Sequence, residues 1–359
     1  MNGAIVAITP RGRELALDVG MKTGFAVYLP DALLEATDLA TPFSGLRETL
    51  SSLFSTKKKL LLIMATGIAI RMLAPYLESK QSDPAVVVLD EGGHFAISLL
   101  SGHMGGANEL AHHIATITGA TPVITTATDV SGLRAVDVIA YELGLTVEPF
   151  NRVKEYNAAM LRGTTVAVYS DLPVHVFGDL SGLAILPLAN LAHQSTEYPY
   201  RAVVTNKREL AGLGQDDLML RPPNLHVGVG CRRGVSAERL NAAIEEVFSK
   251  HNLSTTCIAQ LASIDVKQDE VGLLAVAQER NVPIRFFSAQ EIRAADISCK
   301  TSAFVEKKMG VGAVCVPTAM LAAQSKKLLV SKQQLKQITI AVAEAEFPWL
   351  ASDRETSHY

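Results

Sequence analysis

The chain has 359 residues, more than one hydrophobic core usually holds, and a prior of roughly 150 residues per domain points to two or three domains. Its 48% hydrophobic and 19% charged residues exclude a disordered chain, and a net charge of −3 argues against a broad nucleic-acid surface. The longest apolar stretch, 60–70, is too short to span a bilayer and runs into Arg71.

No basic region precedes the apolar residues of 1–10, which read as a strand and not as a signal peptide, so the expected location is the cytoplasm. Residues 5–8 and 25–29 read as short strands, and 46–54 as a helix with Leu46, Leu50, Leu53 and Phe54 on one face. Lys57, Lys58 and Lys59 form a solvated turn before a buried strand at 60–65. A helix follows over 68–77, bent or ended by Pro75. Residues 85–89 form another buried strand with Asp90 at its carboxyl end, and Glu91-Gly92-Gly93 supplies a turn. The apolar run 95–100 leads into Ser101-Gly102-His103-Met104-Gly105-Gly106-Ala107-Asn108-Glu109. A helix then runs to Thr118, ended by Gly119, before a strand at 122–126.

This alternation predicts an α/β fold whose N-terminal sheet is doubly wound and mainly parallel. Ligands of such sheets sit beyond the carboxyl ends of the strands, so Gly67, Asp90, 101–109 and 125–129 are expected to converge. A small α/β middle domain follows, with helices at 136–143 and 153–161 and strands at 165–169, 174–177, 184–186 and 202–204. Arg221-Pro222-Pro223-Asn224 marks a boundary to a C-terminal α/β domain. There 225–229, 255–261, 283–287, 328–331 and 338–342 read as strands, and 237–250, 270–280, 302–308 and 314–323 as helices. The resulting division is 1–130, 131–221, 222–345 and a frayed tail, 346–359.

The turn at 101–109 places a hydroxyl, an imidazole, a carboxamide and a carboxylate close together in the chain. Glycines let backbone approach a ligand, and amides at a helix start suit an anion or a developing oxyanion. The plainer reading is that Ser101 and Asn108 cap a helix while the glycines permit tight packing. Thr125, Thr126, Thr128 and Asp129 form a second polar cluster. It suits substrate carboxylates, with Asp129 as a base, or else a loop held by its own hydrogen bonds. Arg71, Arg134, Arg232, Arg233 and Lys267 are candidate carboxylate partners by their place in motifs. The four cysteines form no Cys-x-x-Cys pair, and the nine histidines show no tight ligand spacing, so no protein-bound metal is expected.

Several blocks occur in a telling order: Gly67-Ile68-Ala69-Ile70-Arg71, Asp83 to Glu91, the turn from Leu99 to Leu110, and Thr121 to Asp129. Val227 to Gly234, Ala262 to Lys267, Gly310-Val311-Gly312 and Ala319 to Ala323 follow. This series closely resembles the cobalt-precorrin-5A hydrolase family of anaerobic cobalamin biosynthesis. The resemblance implies a hydrolase that opens the substrate's δ-lactone with water and releases acetaldehyde, giving cobalt-precorrin-5B. It implies a cobalt-corrinoid substrate that carries its own metal, so no cofactor is expected. Neither nucleic acid nor membrane is an expected partner, whereas self-association or transient contact with other corrin-pathway enzymes is.

Under that reading His103 serves as general acid and base, oriented by Glu109. Amides around Gly102, Gly105 and Gly106 hold the oxyanion or a carboxylate, and Asn108 orients water or substrate. Ser101 is the alternative nucleophile, but the block is not a Gly-x-Ser-x-Gly elbow and direct water attack is preferred. Arg71, Arg232 and Arg233, with Thr125, Thr126, Thr128 and Asp129, would take the acetate and propionate groups. Hydrolysis of another lactone or ester, or a non-enzymatic corrinoid carrier, are the competing readings.

Overall fold

The computed structural model describes residues 3–79, 82–102, 105–125, 132–193, 197–297, 299, 306 and 310–349. They divide into two compact units, formed mainly by 1–141 and by 142–358. The first unit is a seven-stranded sheet: β1 (Gly3–Ala7), β2 (Ala26–Pro30), β3 (Thr41–Phe43), β4 (Lys59–Ile63), β5 (Ala85–Leu89), β6 (Phe95–Leu100) and β7 (Thr121–Val123). Their order is β3-β2-β1-β4-β5-β6-β7. Helices α1 (Pro10–Thr23), α2 (Leu46–Thr56), α3 (Thr66–Leu73) and α4 (Ala107–Thr118) connect them.

The apolar runs of β4 and β5 follow from burial on both faces. Leu60 and Leu62 pack with Leu50, Leu53 and Leu73. Leu61 and Ile63 point the other way, toward Val19, Leu110 and Ile114. Each such side chain contributes roughly 1.5–3 kcal/mol of transfer free energy. Helix α1 begins where the Thr9 hydroxyl accepts from the Gly12 amide and Pro10 fills the first position, and it ends at left-handed Gly24. Helix α3 stops at Leu73, and Pro75 lies in the 3-10 turn Ala74–Tyr76 that follows.

Strands β1 to β5 are mutually parallel. Strand β6 pairs antiparallel with β5, and β7 runs parallel to β6. Only residues 90–94 separate β5 from β6, whereas a parallel crossover needs about a dozen residues or more. The chain therefore turns back at Asp90. The carboxyl ends of β1, β4 and β5 lie at one edge of the sheet, and those of β6 and β7 lie at the other. The five residues of β4 separate the edges by roughly 17 Å. The expected convergence of Gly67 and Asp90 with the turn at 101–109 does not occur.

Helix α5 (Val136–Glu142) follows, and α6 (Val153–Leu161) after it. In the second unit, β8 (Thr146–Glu148), β9 (Val166–Tyr169), β10 (Leu183–Leu186), β11 (Arg201–Val204) and β12 (Leu218–Arg221) form a sheet ordered β10-β9-β11-β12-β8. The expected strand at 174–177 is instead the 3-10 turn Val174–Phe177, bounded by Pro173 and left-handed Gly178.

The last sheet contains β13 (Leu225–Cys231), β14 (Ile258–Ile264), β15 (Ile284–Phe287), β16 (Leu328–Leu335) and β17 (Ile338–Glu344), ordered β15-β14-β13-β17-β16. Helices α7 (Ala237–Lys250), α8 (Val271–Glu279), α9 (Ala289–Ala294) and α10 (Cys315–Ala323) accompany it. At Gly228 any Cβ would overlap the Cys315 carbonyl, so glycine is what lets α10 lie against β13. The helix expected at 302–308 falls, apart from Glu306, outside the described residues. The tail does not fray from residue 346: Trp349 is 6% exposed, and its indole N–H donates to the Leu143 carbonyl. Among the described residues, no helix is long and apolar enough to cross a membrane.

Candidate active site

The glycine turn begins where β6 ends. Leu100 stands opposite Val86, and the Ser101 hydroxyl donates to the Asp83 carbonyl at 3.0 Å, tying the turn to the entry of β5. Ser101 holds a left-handed conformation, φ 57°, which side-chain-bearing residues seldom adopt. Its carbonyl accepts from the Ala107 amide at 3.1 Å, and the Gly102 carbonyl accepts from Asn108 at 2.9 Å. The turn thus closes on itself. A Cβ at Gly105 would overlap that of Ser101 and lie 2.8 Å from its carbonyl oxygen, so this close approach requires glycine.

Gly106 is the N-cap of α4, buried and left-handed at φ 80°. The Ala107 and Asn108 amides are spent inside the turn. The Gly105 and Gly106 amides have no acceptor among the described residues. The Asn108 side-chain carbonyl accepts from Ser98 Oγ at 2.6 Å, which fixes one end of its carboxamide. Glu109 is exposed in the first turn of α4, where a carboxylate complements the helix dipole.

Thr125 is exposed beyond β7, at the same edge of the sheet. His103, Thr126, Thr128 and Asp129 lie outside the described residues. Two further features at this edge are not among the site residues that the sequence suggests. One is Lys57, Lys58 and Lys59 at the start of β4, where the Lys58 carbonyl accepts from the Ala85 amide at 2.9 Å. No carboxylate pairs with these lysines among the described residues. The other is Tyr141 of α5, whose hydroxyl faces Gly106. The signal for the lysines was strand direction: once β6 turns back, its end lies beside the beginnings of β4 and β5.

The opposite edge is engaged with itself. Asp90 accepts from the amides of Gly92, His94 and Phe95 and meets the His94 ring at 3.0 Å. Burial pushes the Asp90 carboxyl up, but these bonds outweigh it and hold the group below the usual carboxylate value. The Thr9 hydroxyl donates to Glu91 at 2.8 Å. Arg71 donates to the Gly67 carbonyl at 3.3 Å and does not join the 101–109 turn.

Arg134 lies half-buried just ahead of α5. In the second unit the basic candidates separate. Arg233 is spent on Asp269 at 2.9 Å and on the Val266 carbonyl at 3.2 Å. Lys267 is buried against Glu270 at 3.0 Å, and Glu270 also accepts from the Gly234 amide. Burial raises the Glu270 carboxyl, but the Gly234 amide and Lys267 overcome it and the net shift is downward. This pair pins the turn after β13 and leaves Arg232 exposed without a side-chain partner among the described residues. Burial pushes the nearby Cys231 thiol up, away from its reactive thiolate form. Among the described residues no three His, Cys, Asp or Glu side chains converge as a metal site.

Comparison with known proteins extends over nearly the whole chain. Family models described as cobalamin synthesis G N-terminal, cobalamin biosynthesis central region and cobalamin synthesis G C-terminus match residues 48–129, 134–222 and 225–343. The cobalt-precorrin-5A hydrolase of Priestia megaterium is 33% identical over 352 residues, covering 95% of this chain and 94% of its own. The enzyme of the same name from Salmonella typhimurium is 33% identical over 344 residues, covering 95% and 97%. Among solved structures, CobE, a protein from the cobalamin (vitamin B12) biosynthetic pathway, is 31% identical over 35% of this chain and 94% of its own, with a TM-score of 0.33. With a third of its residues shared across almost the full length of both curated relatives, this chain belongs to the cobalt-precorrin-5A hydrolase family.

Proposed function

We propose that this chain opens the δ-lactone of cobalt-precorrin-5A with water and releases acetaldehyde, at the sheet edge formed by the ends of β6 and β7. The observation that carries the reading is the closed turn at 101–109, which leaves the Gly105 and Gly106 amides without an acceptor and the Glu109 carboxylate without a hydrogen bond or ion pair among the described residues. The unpaired Lys57, Lys58 and Lys59 at the same edge suit a ligand rich in carboxylates.

The residue roles follow from the chemistry. Water is a weak nucleophile, so His103 removes a proton as its oxygen bonds to the lactone carbonyl carbon. The charge that develops on the carbonyl oxygen falls to the Gly105 and Gly106 amides. The ester carbon–oxygen bond then breaks, leaving a carboxylic acid and an alkoxide on the methyl-bearing carbon. The alkoxide electrons form the aldehyde carbonyl while the bond from that carbon to the macrocycle breaks. The electron pair left on the ring carbon takes a proton returned through His103. One water is consumed; one carboxylic acid, one acetaldehyde and one ring C–H are formed. Cobalt travels with the substrate. The Ser101 hydroxyl, engaged with the Asp83 carbonyl, serves here as an anchor of the turn and not as the nucleophile.

The test is incubation with cobalt-precorrin-5A, with mass analysis of the macrocycle and trapping of the aldehyde. Acetaldehyde formed in step with substrate loss supports hydrolysis. Tight binding of an unchanged macrocycle without acetaldehyde would overturn it in favour of a carrier.

A further inference from the structure

His226 of β13 is 1% exposed, and neither nitrogen of its ring has a hydrogen-bond partner among the described residues. Side chains alternate along a strand, so His226 shares its face with Gly228 and Gly230, where α10 lies. Leu225, Val227 and Val229 fill the opposite face. The elements packed around the ring bring it no charge. Gln260 of β14 comes near it, and β14 holds no charged residue. Ala343 of β17 stands opposite it; Glu344 of that strand stands opposite Leu225 and is taken up by Asn206, Asn224 and Lys327. Helix α10 has no charged residue, and burial pushes the thiol of its Cys315 up, which keeps it neutral. Burial does the same to Cys231 at the end of β13. Burial therefore dominates at His226 and lowers it from 6.5 to about 4, with Gln260 opposing. A neutral imidazole is tolerated there, whereas a buried imidazolium without a partner is strongly disfavoured.

We propose that His226 is an acid-sensitive latch: while neutral it lets α10 close on β13, and on taking a proton from solvent it frees α10 from the sheet. The device belongs to the second unit and does not depend on the lactone reading. Gly228 sets the backbone of α10 directly against the strand, so a charged ring gains water only when the helix moves away. With α10 released the ring titrates at its ordinary value of 6.5; with α10 closed it titrates near 4. The closed form is therefore fully favoured above the higher value and loses ground as pH falls toward the lower one.

The test is hydrogen exchange of the α10 amides in the full chain, followed from neutral pH into the acid range beside His226→Leu. In the parent, protection of α10, corrected for intrinsic exchange, should fall roughly tenfold per pH unit between about pH 6 and about pH 4.5, the slope of a single proton. In the leucine variant, which has no proton to take at this position, protection should stay nearly level over the same range. Equal losses in both chains would overturn the latch, because other groups would then account for them. A level profile in the parent would overturn it as well. Should the leucine variant fail to fold, the ring signals of the nine histidines of the parent decide by nuclear magnetic resonance. One ring should stay neutral down to about 4 while α10 loses protection above that pH. All nine rings titrating near the ordinary value would contradict the proposal.

Discussion

At the edge where β1, β4 and β5 end, Thr9 is bonded to Glu91, Asp90 to three amides and a histidine ring, and Arg71 to its own helix. At the edge where β6 and β7 end, the Gly105 and Gly106 amides, the Glu109 carboxylate and the side chains of three consecutive lysines have no hydrogen bond or ion pair among the described residues. Both edges carry acids, cations and glycine turns. The first uses them to hold its own loops; the second presents them. Ligands of doubly wound sheets usually sit at the carboxyl ends of the parallel strands. Here one hairpin moves the presented groups to the other side, and the partners of each group show it where the inventory of residue types does not.

The sharpest way to break this comparison is His103→Ala. General acid–base catalysis is worth roughly 10²–10⁴ in rate, and acetaldehyde release should fall by that much in a folded protein. Near-normal turnover would remove the proposed proton carrier. Gly105→Ala comes next. Its added carbon overlaps Ser101, so the turn must shift, at about 1–3 kcal/mol of stability and more than tenfold in turnover. A thermal melt with steady-state kinetics would show both losses, and an unaffected rate would mean the turn does not hold the reacting oxygen.

Replacing Lys57, Lys58 and Lys59 together by alanine should raise KM about tenfold at low salt, and less at high salt, since charges that solvent reaches, as it reaches the exposed Lys58 and the half-buried Lys57 and Lys59, contribute up to about 1 kcal/mol each and are screened. A KM that stays put at low ionic strength would sever the lysines from the site. The second unit offers a similar contrast. Charge reversal at Arg233, which is occupied by Asp269, should lower the melting temperature more than reversal at the exposed Arg232. Equal effects would refute that distinction.

Asp90→Asn should have the smallest effect: unchanged turnover and a slightly lower melting temperature. Because the folded Asp90 carboxyl titrates below its usual value, its contribution is present above the unfolded carboxylate pKa and is lost as pH falls through the folded one. Melts across the acid range should show a shallower acid loss in the variant, and a turnover defect would bring the first edge back into the mechanism.

Much of this fold is legible in the sequence. The unbroken apolar runs of β4 and β5 announce strands buried on both faces, and Gly119 and Pro75 mark helix ends where the structure has them. The strands β3, β8 and β12 have three or four residues each, too few to show a period, and they exist because neighbouring strands leave an edge to pair with. The direction of β6 was written in the short 90–94 link, a signal of length and not of residue type. Within the candidate site, the glycine turn is readable from its own residues. Tyr141 is not, because only the tertiary fold brings α5 to Gly106.

The most direct measurement is the cobalt anomalous signal in crystals of the chain soaked with its macrocycle. The peak should lie beside the turn from Ser101 to Glu109, with a macrocycle oxygen on the Gly105 and Gly106 amides. A peak at the Gly67 and Asp90 edge, or anywhere else away from that turn, would contradict the account.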